Sequence, residues 1–292
     1  MKTLVRGARL LLSAGIAVAL AIGMLAAGPT ANAAGLAPVG LGTAASFAVL
    51  AGTPKVSNTG ATIITGDLGI SPAAAVTGFP PGIVHGTIHA ADAVALTANN
   101  DLGTAYVDAA GRTATATYGT LGGLTLVSGV YTAGGVVLDL TGTLTLDGQN
   151  DPNSVWVFQA TSSLVTASSS SVKLINKASP CNVFWQVTSS ATLGSGSTFV
   201  GTILALTSIT MASGVAVDGR ALARNGEVTL IKDTITASTC STKATPPPTA
   251  TLAMPDIPGS GLTPALFVGI LLGAVASVVV VSRRWLRANR TR

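Results

Sequence analysis

Between residues 184 and 228, short apolar runs alternate with turns of Gly, Ser and Thr at nearly fixed intervals. Gly201 and Gly219 stand eighteen apart, as do Ala205 and Ala223. Residues 199–205 (FVGTILA) align with 217–223 (VDGRALA), and 208–211 align with 227–230 one residue out of step. A repeat this short cannot bury an apolar face alone. Stacking successive turns of chain builds one continuous core, which is the architecture of a β-solenoid. The apolar runs predict strands at 136–139, 143–146, 155–159, 164–166, 172–175, 183–187, 192–193, 199–205, 209–211, 215–217, 221–223 and 228–231. Three short strands per coil predict a roughly triangular section. The step from Phe158 to Trp185 is longer, at twenty-seven, and the stretch 176–182, with Pro180, is expected to hold the excess.

Residues 89–111 change period. Ala91, Val94, Ala95, Ala98, Leu102, Ala105, Tyr106 and Ala109 fall at helical spacing. Asp92 meets the positive end of the helix dipole, Gly111 marks the stop and Arg112 complements the negative end. An Ala-rich face suits close packing on a flat sheet, so this one helix is expected on a flank of the solenoid. Upstream, residues 46–50 begin an apolar run and 57–69 read as strand, turn and strand. Pro72, Pro80 and Pro81 mark irregular loops.

The two ends have other purposes. Lys2, Arg6 and Arg9 precede an apolar stretch and the small-residue site Ala31-Asn32-Ala33, so residues 1–33 read as a signal peptide. Residues 34–240 are the exported domain. Residues 241–264 hold Pro246-Pro247-Pro248 and read as an extended linker. Within it, Ile257-Pro258-Gly259-Ser260-Gly261 resembles the Leu-Pro-x-Thr-Gly sorting motif, departing at Ile257 and Ser260. It stands either as a cell-wall attachment signal or as a plain linker. Residues 265–282 are apolar and uncharged, enough to cross a bilayer, and residues 283–292 form a basic tail on the cytoplasmic side. The expected location is therefore extracellular, at the cell surface.

Charge and chemistry change this picture little. The net charge of +5 comes from the ends. Of 16 Lys and Arg, three lie in the signal peptide and five in the tail, leaving eight against 11 Asp and Glu. The exported part is mildly acidic and offers no footprint for nucleic acid. Cys181 and Cys240 are a candidate disulfide, which export permits. His85 and His89 stand four apart, but only Asp92 is near to complete a metal site, so capping or packing is expected of them. Residues 147–151 (DGQND) lack the rest of an EF-hand and read as a polar turn. No nucleophile elbow, HExxH or phosphate loop is present. The acids are too scattered for a glycosidase pair. The reading is a non-enzyme without a cofactor.

Several stretches together resemble one family. They are residues 65–72 (TGDLGISP), 77–82 (TGFPPG), 86–89 (GTIH), 129–131 (GVY), 140–146 (LTGTLTL), 183–187 (VFWQV), 201–205 (GTILA) and 219–223 (GRALA). In that order they are similar to the secreted ice-binding protein family of cold-adapted bacteria, fungi and algae. The resemblance implies a mainly β fold, a discontinuous right-handed β-solenoid with one long α-helix alongside, and adsorption to ice crystals.

Such a fold could match ice because its rungs repeat about every 4.7–4.9 Å and alternate side chains about every 6.6 Å. Thr suits the purpose, since β-branching restricts its rotamer and little entropy is lost on ordering water. The candidate contacts are hydroxyls three residues apart: Thr59 and Thr62, Thr166 and Ser169, Thr192 and Ser195, Thr210 and Ser213. Bulky Leu193 and Met211 within this set are expected to weaken it. The competing readings are ordinary exposed strand residues and a structural surface adhesin without ice activity.

Overall fold

A computed structural model describes residues 35–239. The signal segment, linker, sorting-like motif, apolar run and basic tail lie outside the described residues, as does Cys240. Among the described residues no helix is long and apolar enough to cross a membrane.

Every strand pairing in the domain is parallel, and the strands fall on three faces. The first face runs in the order Ala116–Tyr118, Gly129–Ala133, Trp156–Ala160, Val183–Val187, then the second halves of Thr198–Ala205 and Ala216–Ala223. Phe47–Ala51, Asp67–Ile70 and Ile88–Ala90 complete it. The second face is a separate seven-stranded sheet: Val137–Leu140, Ser163–Thr166, Ala191–Leu193, Ile209–Met211, Val228–Ile231, Lys55–Thr59 and Ala75–Thr77. The third face holds Thr125–Leu126, Thr143–Asp147, Ser171–Ile175, the first halves of the two long strands, Thr234–Thr236, Ile63–Thr65 and Ile83–His85.

The stack is not in chain order. The last coil abuts residues from before the helix: Val49 pairs with Ala221, Val56 with Val228 and Ile63 with Thr234. The N-terminal coils thus extend the C-terminal end of the solenoid, and the helix carries the chain back to its start. This is the discontinuity that the resemblance implied.

Coil length is set at one corner. Tyr131, Phe158, Trp185, Ile203 and Ala221 occupy one register position, at steps of twenty-seven, twenty-seven, eighteen and eighteen along the chain. The long coils place their surplus between the third and first faces, in residues 148–155 and 176–182. In the short coils the same corner is turned within one strand, at Gly201 (φ +108°) and Gly219 (φ +152°). A Cβ at Gly219 would lie 1.9 Å from the Gly201 carbonyl oxygen, and one at Gly201 would lie 2.6 Å from that of Val183. Only glycine fits so close a backbone approach. The expected strands at 215–217 and 221–223 are therefore one bent strand, Ala216–Ala223.

The core follows the taper. Where coils are long, the rings of Tyr131, Phe158 and Trp185 stack rung upon rung, with centroids 5.6 and 4.1 Å apart, and Tyr118 (5.9 Å from Tyr131) and Phe199 of the first short coil (4.8 Å from Trp185) close the two ends of the stack. Where coils are short, Ile203, Ala221 and Val49 fill the same position. Trp156 and Trp185 are fully buried, and each indole N–H reaches a carbonyl, that of Leu126 and Val200 respectively.

The helix, Ala93–Gly111, covers the first face. Asp92 is its N-cap, accepting from the Ala95 N–H at 2.8 Å and from His89 Nδ1 at 2.7 Å. These bonds hold the Asp92 carboxyl below its ordinary range. Ala98, Leu102, Ala105 and Ala109 pack on Phe47, Leu50, Val157 and Phe184, whereas Val94, expected on this side, is half exposed. At the other end Gln159 Nε2 donates to the carbonyls of Ala109, Ala110 and Arg112, meeting acceptors that a helix C-terminus leaves open.

Cys181 sits in the short helix Pro180–Asn182 and is disulfide-bonded. The stretch 147–151 is a polar turn: Asp147 accepts from the Gln149 N–H and from Asn176 Nδ2.

Candidate functional site

The three faces differ in what lies on them. The first is covered by the helix. The loop that carries Pro180–Asn182 packs near Thr198–Ala205 and Ala216–Ala223, the two strands that turn the corner between the third and first faces, and Val200 at that corner is only 7% exposed. Neither the helix nor that loop packs on the second face.

Parallel pairing fixes which residues share a row across this open face. Asp139, Val165, Thr192, Thr210, Thr229, Ser57 and Thr77 pair in one unbroken column. Strand alternation turns their neighbours Leu138, Leu164, Leu193, Met211, Leu230 and Val56 inward, all at 1% exposure or less. From Val165 to Thr77 six successive rungs carry a β-branched side chain or serine, spanning about 24 Å at the usual strand spacing. Ser57 donates to the Thr229 hydroxyl at 3.3 Å, which links two rungs of the column. Beyond Val165 the character changes. Asp139 accepts from the hydroxyls of Thr120 and Thr141, both at 3.0 Å.

The two flanking columns are less regular. On one side Val137 pairs with Ser163 and Lys55 with Ala75. Ladder bonds from the N–H groups of Leu164, Ala191 and Ile209 to the carbonyls of Ser190, Ser208 and Glu227 continue that row. On the other side Ile231 pairs with Thr59. Lys55 and Glu227 thus stand in a side row, and the charge within the column, Asp139, stands at its end.

The eight hydroxyl candidates separate into three groups. Thr192 and Thr210 are exposed in the central column, and Thr59 is exposed two residues along its strand from Ser57. Ser169, Ser195 and Ser213 are exposed but sit past the strand ends, at the corner toward the third face. Thr62 and Thr166 do not reach the surface, at 0% and 3% exposure. The Thr62 hydroxyl donates to Asn58 Oδ1 and accepts from the Asp233 N–H, and Thr166 Oγ1 accepts from the Gly194 N–H at 2.9 Å. They are structural hydroxyls, because a one-residue offset in a strand turns a side chain to the other face. Leu193 and Met211 are likewise interior and do not add bulk to the surface. Thr229, Ser57 and Thr77 escaped the hydroxyl-spacing pattern. The 208–211 and 227–230 alignment carries the signal for Thr229, since it places that residue opposite Thr210.

Other chemistry is sparse here. Among the described residues no three His, Cys, Asp or Glu side chains come together as a metal site. His89 bonds Asp92 and meets Phe47 edge-on at 5.6 Å, the capping and packing role expected of it.

Comparison with known proteins points one way. A family model described as Ice-binding-like matches residues 49–236. An ice-binding protein of Nostoc sp. (strain HG1) is 48% identical over 235 residues, 78% of this chain and 85% of the relative. One from Flavobacterium frigoris (strain PS1) is 35% identical over 217 residues, 68% and 76% of the two chains. The crystal structure of an ice binding protein from an Antarctic biological consortium matches with a TM-score of 0.67 and 47% identity, covering 69% of this chain and 92% of that one. That of an ice-binding protein from the Antarctic ascomycete Antarctomyces psychrotrophicus matches at 0.67 and 42%, covering 70% and 100%. With residues 49–236 matched by the family model and with relatives alike in sequence and fold, the chain belongs to the ice-binding-like family.

Proposed function

We propose that this protein adsorbs to ice through its open face, with Thr192, Thr210, Thr229, Ser57 and Thr77 as the central contacts and Thr59 beside them. The unbroken column carries this reading. Its rungs are spaced by backbone ladders rather than by side chains, so the hydroxyls and methyls are preset before contact. Individually weak contacts then add up, because little order remains to be imposed on binding. The face needs no titrating group, metal or nucleophile, in keeping with a non-enzymatic role.

Replacing Thr192 and Thr210 with Tyr raises two rings above the plane. Thermal hysteresis and recrystallisation inhibition should fall sharply while the thermal unfolding midpoint stays unchanged. Full activity in the double variant would remove the open face from the reading.

We further propose display at the cell surface: export by residues 1–33, a linker at 241–264, a membrane span at 265–282 and a cytoplasmic tail at 283–292. Residues 257–261 belong to that linker by the plainer reading; the alternative is a cell-wall attachment signal that would replace the membrane anchor. The half-cystine Cys181 is proposed to pair with Cys240, the only other cysteine in the chain. Anchoring favours either attachment of the cell to ice or an antifreeze held at the cell's own boundary. An adhesin without ice activity is the second reading that anchoring suits. Absence of both hysteresis and recrystallisation inhibition at high protein concentration would favour it.

A further inference from the structure

The third face carries a hydroxyl column of its own. Pairing places Thr143, Ser171, Thr198, Ala216, Thr234 and Ile63 side by side on consecutive rungs. All six are exposed or half-buried, and none is charged. The Thr143 and Ser171 hydroxyls lie 2.9 Å apart, so these two rungs hold each other's rotamers.

Exposed strands are often rich in Thr for reasons of β-propensity alone. Two observations set this column apart. First, charge is excluded from it but not from the row two residues further along the same strands, which holds Lys173, Asp218 and His85. In that row Val200 is buried, whereas Thr198, two residues earlier, is exposed. Second, the column is continuous with the open face. Thr192, Ser195 and Thr198 follow one another across the corner in one coil, as Thr210, Ser213 and Ala216 do in the next, and all six are exposed. The corner serines are therefore the join between two hydroxyl columns rather than the margin of one.

We propose that this column and the corner serines form a second ice-contacting plane, inclined to the open face, so that the protein adsorbs to two differently oriented families of lattice planes. The two faces meet at a corner of a three-sided coil and cannot lie on one flat crystal surface together. The proposal rests on the reading of ice as the ligand.

The test is adsorption of the fluorescently labelled protein to single-crystal ice hemispheres. The unsubstituted protein should illuminate two families of planes. The Thr198→Tyr/Thr234→Tyr variant should lose one family and keep the other, and Thr192→Tyr/Thr210→Tyr should lose the complementary one. Thr198→Ala/Thr234→Ala, which adds no bulk, should weaken the same family as its Tyr counterpart, with thermal unfolding unchanged in each case. Labelling by the Thr198→Tyr/Thr234→Tyr and Thr198→Ala/Thr234→Ala variants indistinguishable from the unsubstituted protein would overturn the second plane while leaving the open face standing. Labelling that survives Thr192→Tyr/Thr210→Tyr intact but vanishes in the Thr198 and Thr234 variants would instead move ice adsorption wholly to the third face. Absence of any labelling by the unsubstituted protein would sink both.

Discussion

Trp185 offers the sharpest test of what keeps the faces flat. Its ring is fully buried, 4.1 Å from Phe158 at an interplanar angle of 15° and 4.8 Å from Phe199. Its N–H donates to the Val200 carbonyl at 2.9 Å. Truncation to Ala removes a buried aromatic, a loss of about 3–5 kcal/mol. The Val200 carbonyl also loses a donor in a dry site, adding about 1–3 kcal/mol. The sum, about 4–8 kcal/mol, rivals the whole stability of a typical domain, about 5–15 kcal/mol. Trp185→Phe keeps a ring in the stack and loses only the N–H and some volume, so about 1–3 kcal/mol is expected. Urea unfolding followed by far-ultraviolet circular dichroism measures both, provided the slope is unchanged between variants. A cost below about 1 kcal/mol for Trp185→Ala would refute the view that the aromatic stack holds the long coils together. Equal costs for Ala and Phe would shift the weight from the stack to the N–H.

Three further outcomes follow from particular contacts. Gly219→Ala should cost at least about 2 kcal/mol in thermal unfolding, because its Cβ meets the Gly201 carbonyl at a φ that other residues avoid. Gln159→Ala should cost about 1–2 kcal/mol and speed amide exchange in the last turns of the helix, since its amide serves three C-terminal carbonyls. Asp233 is 1% exposed at the joint between the last coil and the N-terminal coils. Burial pushes its carboxyl from 3.8 to about 6, against the pull of N–H donors including Ile231 and Val215. The folded state therefore binds this proton more tightly than the unfolded state. Its contribution to stability should fall as pH rises from 3.8 to about 6 and stay level above. Asp92, Asp101 and Asp147 are shifted the other way, so their contributions fall as pH drops below about 5, and comparison with Asp233→Asn separates the two trends. Unfolding midpoints measured between pH 4 and 6.5 should show that decline, and Asp233→Asn should flatten it.

Much of the fold was legible because a solenoid writes its period into the sequence. The spacing of Gly201 and Gly219 marked the eighteen-residue period, the step between Phe158 and Trp185 marked the long coil, and the Ala-rich run from Ala95 to Ala109 marked the helix. The strands missed, such as Thr234–Thr236 and Ala75–Thr77, are three residues long with at most one buried side chain. They exist because neighbouring coils supply backbone partners, a cause no local pattern carries. Expecting two strands at 215–217 and 221–223 failed for a related reason: glycine ends many strands, but here it bends one without breaking its ladder.

The surface was less legible than the core, and the reason is register. A spacing of hydroxyls says nothing about which way the first one points. Thr166 and Thr192 open similar sequences, yet Thr166 pairs with inward Leu140 while Thr192 pairs with outward Val165 and Thr210. Nor does a fixed period find the column. Thr192 and Thr210 stand eighteen apart, Thr210 and Thr229 nineteen, and Ser57 joins from the other end of the domain. The column is made by backbone pairing between coils of unequal length. The corners absorb that inequality: residues 148–155 and 176–182 take up the surplus between the third and first faces, and the open strands keep step regardless. A row of hydroxyls can therefore stay straight across coils whose sequences have drifted apart. What must be kept for the face to work is the inward set beneath it, Leu164, Leu193, Met211, Leu230 and Val56, because these residues decide which side of each strand meets water.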